Sequence, residues 1–322
     1  MNSNMHAVDL LIERIIEKKS PIVVGLDPIL DHIPSFIKRK HFQGNLGFHS
    51  VFEVITEFNE IVISKLKDII PAVKPQIAYY EKYGSEGINA FEQTIKLAKK
   101  AGLTVIEDGK RNDIGSTAQA YADGYLGEVN IEGKLYKSFD VDFLTVSPYL
   151  GSDSIDPFVT TCEKHGKGIF VLVKTSNPSS SDFQDLVLSN GKKLYYHVAD
   201  YINRVGERTI GKYGYSLTGA VIGATYPGEA AEMRKYLPHS FFLVPGFGAQ
   251  GGTVLSVTNC FGENGLGAII NSSRGILYGY MDSHSSDLDS ATYRSLFYNS
   301  AEDMRNSIVC ELKSRFQGNL LY

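Results

Sequence analysis

Cysteine and histidine are sparse in this sequence of 322 residues, and neither is spaced as a metal site requires. Cys162, Cys260 and Cys310 lie far apart without C-x-x-C spacing, and the eight histidines are scattered. An odd, sparse set of cysteines predicts no disulfide framework and suits a reducing compartment. Three common motifs are also missing: His-Glu-x-x-His, Gly-x-x-x-x-Gly-Lys-Ser/Thr and Gly-x-Ser-x-Gly. The sequence therefore predicts chemistry without a metal, a cofactor or a nucleophile triad, which leaves proton transfer and electrostatics.

An excess of one charge and long apolar runs are absent as well. The chain carries 32 basic and 36 acidic residues, for a net charge of −4, whereas general nucleic-acid binding requires a basic stripe. No apolar run is longer than a strand, which predicts no membrane span. The first 20 residues place Asp9, Glu13 and Glu17 among apolar positions, and this predicts an amphipathic helix instead of a signal peptide. We expect a soluble cytoplasmic protein.

Short apolar, β-branched segments alternate with amphipathic segments along the whole chain. Apolar residues make up 43% and charged residues 21%, which is enough for a sizeable core. Such alternation builds a parallel sheet. Eight strand segments predict one (β/α)8 TIM barrel domain over residues 1–322, with an N-terminal helix and a C-terminal closing helix. An open doubly wound sheet is the alternative, because periodicity does not separate the two. The predicted strands cover residues 22–26, 72–78, 104–107, 143–147, 168–174, 219–224, 241–245 and 268–271.

Helices are predicted between these strands. A capping box at residues 50–53 (Ser-Val-Phe-Glu) would begin a helix whose apolar spacing continues to Ile69. A helix over residues 84–100 has Gly102 where a C-cap glycine belongs. Further helices are predicted over residues 195–211, 227–236 and 290–316. Residues 31–49 and 177–193 are longer than the connections require, and both are candidate lids.

Charged residues stand at the ends of the predicted strands, where a barrel places its active site. The third strand runs into Asp108-Gly-Lys110-Arg-Asn-Asp113. Side chains alternate along a strand, so Asp108 and Lys110 point to the same face. Asp27 ends the first strand, and Lys74 lies within the second, where a lysine is costly to bury without a partner. A strand-end salt bridge is the alternative reading of Asp108 and Lys110. Several such groups meeting at one rim indicate a catalytic site.

The segments after the seventh and eighth strands have features of a phosphate site. Gly246, Gly248 and Gly251 formally match a dinucleotide fingerprint, but no acidic residue follows about twenty positions later. The glycines would let the backbone approach a phosphate, with Gln250 as an added donor. Arg274 supplies a guanidinium that suits a phosphate dianion, at the usual phosphate position of this fold. The alternative is that the glycines only close the barrel and that Arg274 is a surface residue.

These strings together resemble the orotidine 5′-phosphate decarboxylase family. Residues 108–114 (D-x-K-x-x-D-I) are similar to its signature, and Gly115-Ser-Thr continues it. The segments at residues 25–28 (GLDP), 73–75 (VKP), 173–178 (VKTSNP), 245–250 (PGFGAQ) and 273–275 (SRG) lie in the family's order. The length and the strings DGKRNDIGSTA and VKTSNP resemble the longer branch. Asn112 replaces an expected glycine at a variable position of the signature. Sugar-phosphate decarboxylases acting on 3-keto-gulonate phosphate share D-x-K-x-x-D, but the surrounding residues favour the nucleotide.

The resemblance implies a metal-free decarboxylation of orotidine 5′-phosphate to UMP. Lys110 would protonate C6 as carbon dioxide leaves and would stabilise the carbanion that develops there. Asp108 would lie against the substrate carboxylate and hold Lys110 in place. Lys74 and Asp27 would bind ribose hydroxyls, and Lys74 would complete an alternating charge row with Asp108, Lys110 and Asp113.

The resemblance also implies contacts to the rest of the nucleotide. Ser176 would contact the pyrimidine, while Ile114 and Pro245 would form an apolar wall beside it. Gln250 and Arg274 would hold the phosphate.

A partner subunit is implied too, because the family residues that match Asp113 and Thr117 reach the neighbouring site. The active unit would then be a homodimer. Two other functional classes stay open: a barrel decarboxylase or aldolase acting on a phosphorylated sugar, and a non-catalytic phosphometabolite-binding protein.

Overall fold

The computed structural model describes residues 6–44, 46–225, 227–248, 252–282, 288–317 and 319–322. Eight parallel strands form a closed barrel: β1 (Ile22–Leu26), β2 (Ala72–Pro75), β3 (Thr104–Arg111), β6 (Phe143–Val146), β7 (Gly168–Lys174), β8 (Thr218–Ile222), β9 (Phe242–Val244) and β10 (Ala268–Ser272). Around the barrel they lie in the order β1, β10, β9, β8, β7, β6, β3, β2. The predicted (β/α)8 barrel is confirmed, and the open-sheet alternative is wrong because β1 pairs with β10, with Ile22 opposite Ile270.

Two strands outside the barrel were not predicted. β4 (Val129–Ile131) and β5 (Lys134–Tyr136) form an antiparallel hairpin whose residues are all exposed. Glu132 and Gly133 make the turn, with φ values of 47° and 86°. Three-residue strands with no buried face give no alternation of apolar and polar residues, so sequence periodicity has nothing to detect.

Helices cover the outside of the barrel. They are α1 (Ala7–Lys18), α2 (Ser35–His41), α3 (Phe48–Leu66), α4 (Ala78–Glu81), α5 (Gly84–Lys100), α6 (Gly115–Tyr125), α7 (Asp156–His165), α8 (Leu194–Gly206), α9 (Pro227–Tyr236), α10 (Val254–Thr258), α11 (Arg274–Leu277) and α12 (Ser290–Phe316). The predicted bounds of α5, α9 and α12 are confirmed. The prediction for residues 195–211 is too long, because a 3-10 turn (Glu207–Thr209) follows α8. No helix within these described ranges is long and apolar enough to cross a membrane.

The predicted capping box at residues 50–53 is wrong. α3 begins at Phe48 with Gly47 as its N-cap, and Ser50 lies buried within the first turn. The Glu53 carboxylate does not reach back to the helix start, because it lies 3.5 Å from the ring of His41 on α2. Contact with a neighbouring helix has replaced the local cap.

The two predicted long loops are partly regular structure. Residues 31–49 include α2, whose Ile37 is buried and whose His41 lies 2.5 Å from Glu57 on α3. Residues 177–193 begin with a 3-10 helix (Pro178–Asp182) and close with a bridge between Val187 and Lys193. A lid role for either segment stays a prediction.

Candidate active site

A cavity of about 720 Å³ opens where the barrel strands end. Seven residues expected from the sequence line it: Asp27, Lys74, Asp108, Lys110, Ser176, Pro245 and Arg274. They come from the ends of six strands, so the closed barrel brings together groups up to 247 positions apart in the chain. The expected convergence of polar groups at one rim is confirmed for six of these residues, and the apolar Pro245 lies beside them.

The Asp108 carboxylate lies at the centre of this cavity's charges. Its Oδ2 accepts from Lys74 Nζ at 2.7 Å, and its Oδ1 accepts from Lys110 Nζ at 2.6 Å. Thr145 Oγ1 on β6 donates to the same Oδ1 at 3.1 Å. Lys74 is only 4% exposed, so the partner that its burial requires is Asp108.

Burial and charge act against each other on these two groups. Burial alone would raise the pKa of Asp108, but the charges of Lys74 and Lys110 outweigh it and hold that pKa well below its usual range. Burial would lower the pKa of Lys74, but Asp108 and Asp27 outweigh it and raise that pKa. The cavity therefore contains a fixed carboxylate between two ammonium groups at neutral pH.

The backbone at Lys110 is held in an unusual conformation. Its φ is +48°, in the left-handed region that costs a non-glycine residue roughly 1–2 kcal/mol. The pairing of β3 with β6 shifts register between Glu107 and Arg111, which marks a bulge. Lys110 N donates to Thr145 Oγ1 at 2.9 Å, and this bond fixes the bulged segment. Strain of this kind persists at functional sites where surrounding contacts over-determine it.

Two buried oxygens that line the cavity beside β1 and β10 have no hydrogen-bond partner among the described residues. They are Asp27 Oδ1 and Asn271 Oδ1. Both residues line the cavity. Gly25 lets β10 approach closely here, because a Cβ at position 25 would lie 1.8 Å from Ser273 Oγ. Buried acceptors without donors indicate where the hydroxyl groups of a ligand would bind.

The expected phosphate segment is described in part. Arg274 begins α11 and is exposed at the cavity rim. Gly246 and Gly248 have φ values of 98° and 74°, and Gly252 N donates to Gly246 O at 3.0 Å. The turn is thereby closed at its base. Gln250 lies outside the described residues.

Three expected site residues do not line the cavity of their own chain. Ile114 is 53% exposed, and Thr117 is exposed in the first turn of α6. Asp113 is half-buried, and its Oδ1 accepts from Ile114 N at 2.8 Å. Within one chain the charge row runs from Lys74 through Asp108 to Lys110 and stops there.

Other residues of the cavity were missed in the sequence. Thr145 is the one polar residue of an otherwise apolar strand, Phe143–Val146. The alternation of side chains along that strand could have predicted that its hydroxyl points into the barrel. Gln184 also lines the cavity, and it binds Thr175 through its Oε1 at 2.9 Å and its Nε2 at 2.8 Å. His32 and Gln76 also line the cavity, and neither belongs to a motif that marks it.

Comparison with known proteins gives one consistent result. The family model described as orotidine 5′-phosphate decarboxylase / HUMPS matches residues 21–281. A protein of Caldicellulosiruptor bescii called orotidine 5′-phosphate decarboxylase is 43% identical over 88% of this chain and 93% of its own length. A Rhodopirellula baltica protein of the same name is 45% identical over 83% and 86%. The structure of Leishmania donovani OMP decarboxylase superposes with a TM-score of 0.69 at 29% identity, covering 96% of this chain and 99% of that one.

Proposed function

The chain belongs to the orotidine 5′-phosphate decarboxylase / HUMPS family, and we propose that Lys74, Asp108 and Lys110 perform its chemistry. The reaction is the decarboxylation of orotidine 5′-phosphate to UMP in pyrimidine biosynthesis, so the chain is a carboxy-lyase. One observation carries the assignment of residues. The Lys110 ammonium lies 2.6 Å from a carboxylate that a second, buried lysine also contacts at 2.7 Å.

In the proposed step the bond between C6 and the carboxylate breaks, and its electron pair stays on C6 as carbon dioxide leaves. Lys110 Nζ donates a proton to C6, which forms the C6–H bond of UMP, and Lys110 then regains a proton from solvent. Its side chain is 48% exposed, so water can resupply that proton. Charges fixed before the reaction do not have to reorganise as the carbanion develops.

The other expected site residues would hold the nucleotide. Asp27 Oδ1, which has no donor among the described residues, would accept from a ribose hydroxyl, and Lys74 Nζ would donate to a ribose hydroxyl. Ser176 would contact the pyrimidine and Pro245 would pack against it. Arg274 and Gln250 would bind the phosphate, whose binding energy can be used to orient the reacting ring.

We infer that the active unit is a homodimer acting in the cytoplasm, with no nucleic-acid partner. Asp113, Ile114 and Thr117 lie next to the site in sequence but do not line the cavity of their own chain, which supports a role for them in a partner's site. Sparse cysteines and a net charge of −4 support the other two statements.

The test follows the absorbance of orotidine 5′-phosphate with purified protein after exhaustive EDTA treatment. We expect full conversion to UMP. Lys110→Ala should lower kcat/KM by about 10²–10⁴-fold, the usual contribution of a positioned general acid. Lys134→Ala is the matched control, because Lys134 is exposed on the hairpin and does not line the cavity; its kcat/KM should not change.

Activity that EDTA abolishes and a divalent metal restores would favour a phosphorylated-sugar enzyme. Nucleotide binding without any turnover would favour the phosphometabolite-binding alternative.

A further inference from the structure

Two tyrosine hydroxyls hold the loop that follows β1, here called the β1 loop (residues 27–34). Tyr278 Oη donates to Asp27 O at 2.8 Å and accepts from Ile29 N at 3.1 Å. Tyr280 Oη donates to His32 O at 2.7 Å. The β1 loop thus makes three hydrogen bonds to side chains that lie about 250 positions away in the chain. All three bonds join a side chain to the main chain, so none is part of the backbone hydrogen bonding of a helix or a strand.

The Tyr278 ring is fixed by its surroundings. Tyr278 is 5% exposed and stacks on Phe58 of α3, with ring centres 6.0 Å apart and planes 6° apart. The His32 ring contacts it edge-on at 5.3 Å. Burial raises the pKa of Tyr278 well above its ordinary value, so the hydroxyl keeps its proton and remains a donor. A buried, stacked ring holds that hydroxyl at a defined position.

The same tyrosine is attached to the expected phosphate residue. Tyr278 N donates to Arg274 O at 2.9 Å, so Tyr278 closes the single helical turn that Arg274 begins. Through its side chain Tyr278 binds the main chain of Asp27, whose buried Oδ1 has no donor among the described residues. One residue therefore connects the backbone of the phosphate end of the cavity, through its main-chain N, to the backbone of the ribose end, through its hydroxyl.

We propose that Tyr278 is a positioning residue that sets the place of Asp27 relative to Arg274, so that the phosphate and ribose groups of one nucleotide are bound together. This inference rests on the proposed function, because it assigns both groups to orotidine 5′-phosphate and UMP. Its physical basis is that a small displacement of a binding group can cost a large factor in rate. Tyr280 supports the far end of the same loop.

The first test compares two tyrosine hydroxyls. Tyr278→Phe keeps the stacked ring and removes its bond to Asp27 O. We expect kcat/KM for orotidine 5′-phosphate to fall about tenfold, the size of one well-placed hydrogen bond. Tyr293→Phe is the matched control, because Tyr293 is fully buried and its hydroxyl donates to Leu277 O at 3.2 Å instead of to the β1 loop. Its kcat/KM should stay within about threefold of the wild-type value.

The second test asks whether Tyr278 acts through Asp27. Tyr278→Phe, Asp27→Ala and the double variant form a double-mutant cycle, measured in kcat/KM and in the Kd for UMP. If Tyr278 positions Asp27, its replacement changes either quantity by less than about threefold once the Asp27 carboxylate is gone. A purely structural role would give a tenfold loss in both backgrounds, and so would overturn the inference.

Failure of the proposed function is distinguishable from failure of this inference. Wild-type protein that binds UMP without decarboxylating the substrate would disprove the activity, while the cycle in Kd would still decide the role of Tyr278. Tyr280→Phe provides a second variant should Tyr278→Phe not fold. We expect it to weaken UMP binding and to show the same dependence on Asp27, and additive effects there would count equally against the inference.

Discussion

At the scale of single residues, the neighbouring carboxyl groups of Glu107 and Asp108 have pKa values shifted in opposite directions. Glu107 is completely buried, and neither of its oxygens has a hydrogen-bond partner among the residues described. Burial raises its pKa to about 8, even though the nearby charge of Arg111 acts to lower it. Asp108, one position along β3, is held ionised by two lysines. These neighbouring carboxyls differ because two lysines contact Asp108 directly, whereas at Glu107 burial outweighs the charge of Arg111.

This difference predicts a pH dependence of stability. The folded-state pKa of Glu107, about 8, lies above its ordinary value of 4.5, so the folded state favours the protonated form. Its contribution to stability is complete below that ordinary value and is lost as pH rises towards the folded-state pKa. Chemical unfolding of the wild type and of Glu107→Gln, measured from pH 4.5 to about pH 8, tests this. Over this range the free energy of unfolding of the wild type should fall by more than about 1 kcal/mol relative to that of the variant, since one pKa unit is about 1.4 kcal/mol.

Groups that titrate in both proteins cancel in this comparison. Unfolding free energies that stay parallel across the pH range would mean that Glu107 is ionised in the folded protein, with Arg111 as its effective partner.

At the scale of elements, the segment after β7, here called the β7 loop (residues 175–193), is fixed by ion pairs. Lys174 Nζ, 3% exposed at the end of β7, lies 2.7 Å from Asp185 Oδ2. Lys193 Nζ lies 3.2 Å from both Asp185 Oδ1 and Glu229 Oε1. The loop also brings Gln184 to the cavity. The position of Gln184 therefore depends on the ion pairs that its neighbour Asp185 makes with Lys174 and Lys193 at the two ends of the loop.

Removing the central carboxylate should loosen this loop. Asp185→Ala leaves Lys174 buried with Glu229 at 3.8 Å, a weaker arrangement. We expect a loss of about 1–3 kcal/mol in the free energy of unfolding, less than for a fully buried pair. Limited proteolysis should cut residues 175–193 faster. Asp182→Ala, an exposed position on the same loop, is the control and should behave as wild type. Equal cleavage rates for the two variants would show that these ion pairs do not anchor the loop.

At the scale of the whole molecule, Asp113 does not join Asp108 and Lys110 in the cavity of one chain. Asp108 and Lys110 are held in the cavity by β3, whereas Asp113 lies beyond the bulge and contacts only its neighbour Ile114 in the bonds described. A two-fold dimer can supply the same patch from each subunit to the other. The dimer stays a prediction, and subunit mixing tests it.

Lys110→Ala and Asp113→Ala should each be nearly inactive alone, and mixing them with subunit exchange should restore activity. About half of the dimers would be hybrids with one intact site, so the ceiling is roughly a quarter of the wild-type rate per subunit. A mixture of Lys110→Ala and Asp108→Ala is the control. Both lesions lie in the same chain's site, so hybrids have no intact site and no activity should return. Verified exchange without recovery in the first mixture would place Asp113 in its own chain's site.

The sequence alone determined the barrel strands and the shared side of Asp108 and Lys110. Apolar β-branched runs and the alternation of side chains along a strand are properties of a short segment. They predict a strand without knowledge of the elements that it packs against. Seven of the site residues implied by the resemblance line the cavity.

Only the tertiary structure decided the features that depend on distant partners. Thr145 enters the site because β6 lies beside β3, and the left-handed Lys110 is held by that contact. Glu53 pairs with His41 instead of capping α3. Tyr278 meets Asp27 only because closing the barrel brings the last strand beside the first. These contacts join residues that are far apart in the chain. The periodicity or propensity of a local segment cannot predict them, because they form only when the sheet closes on itself.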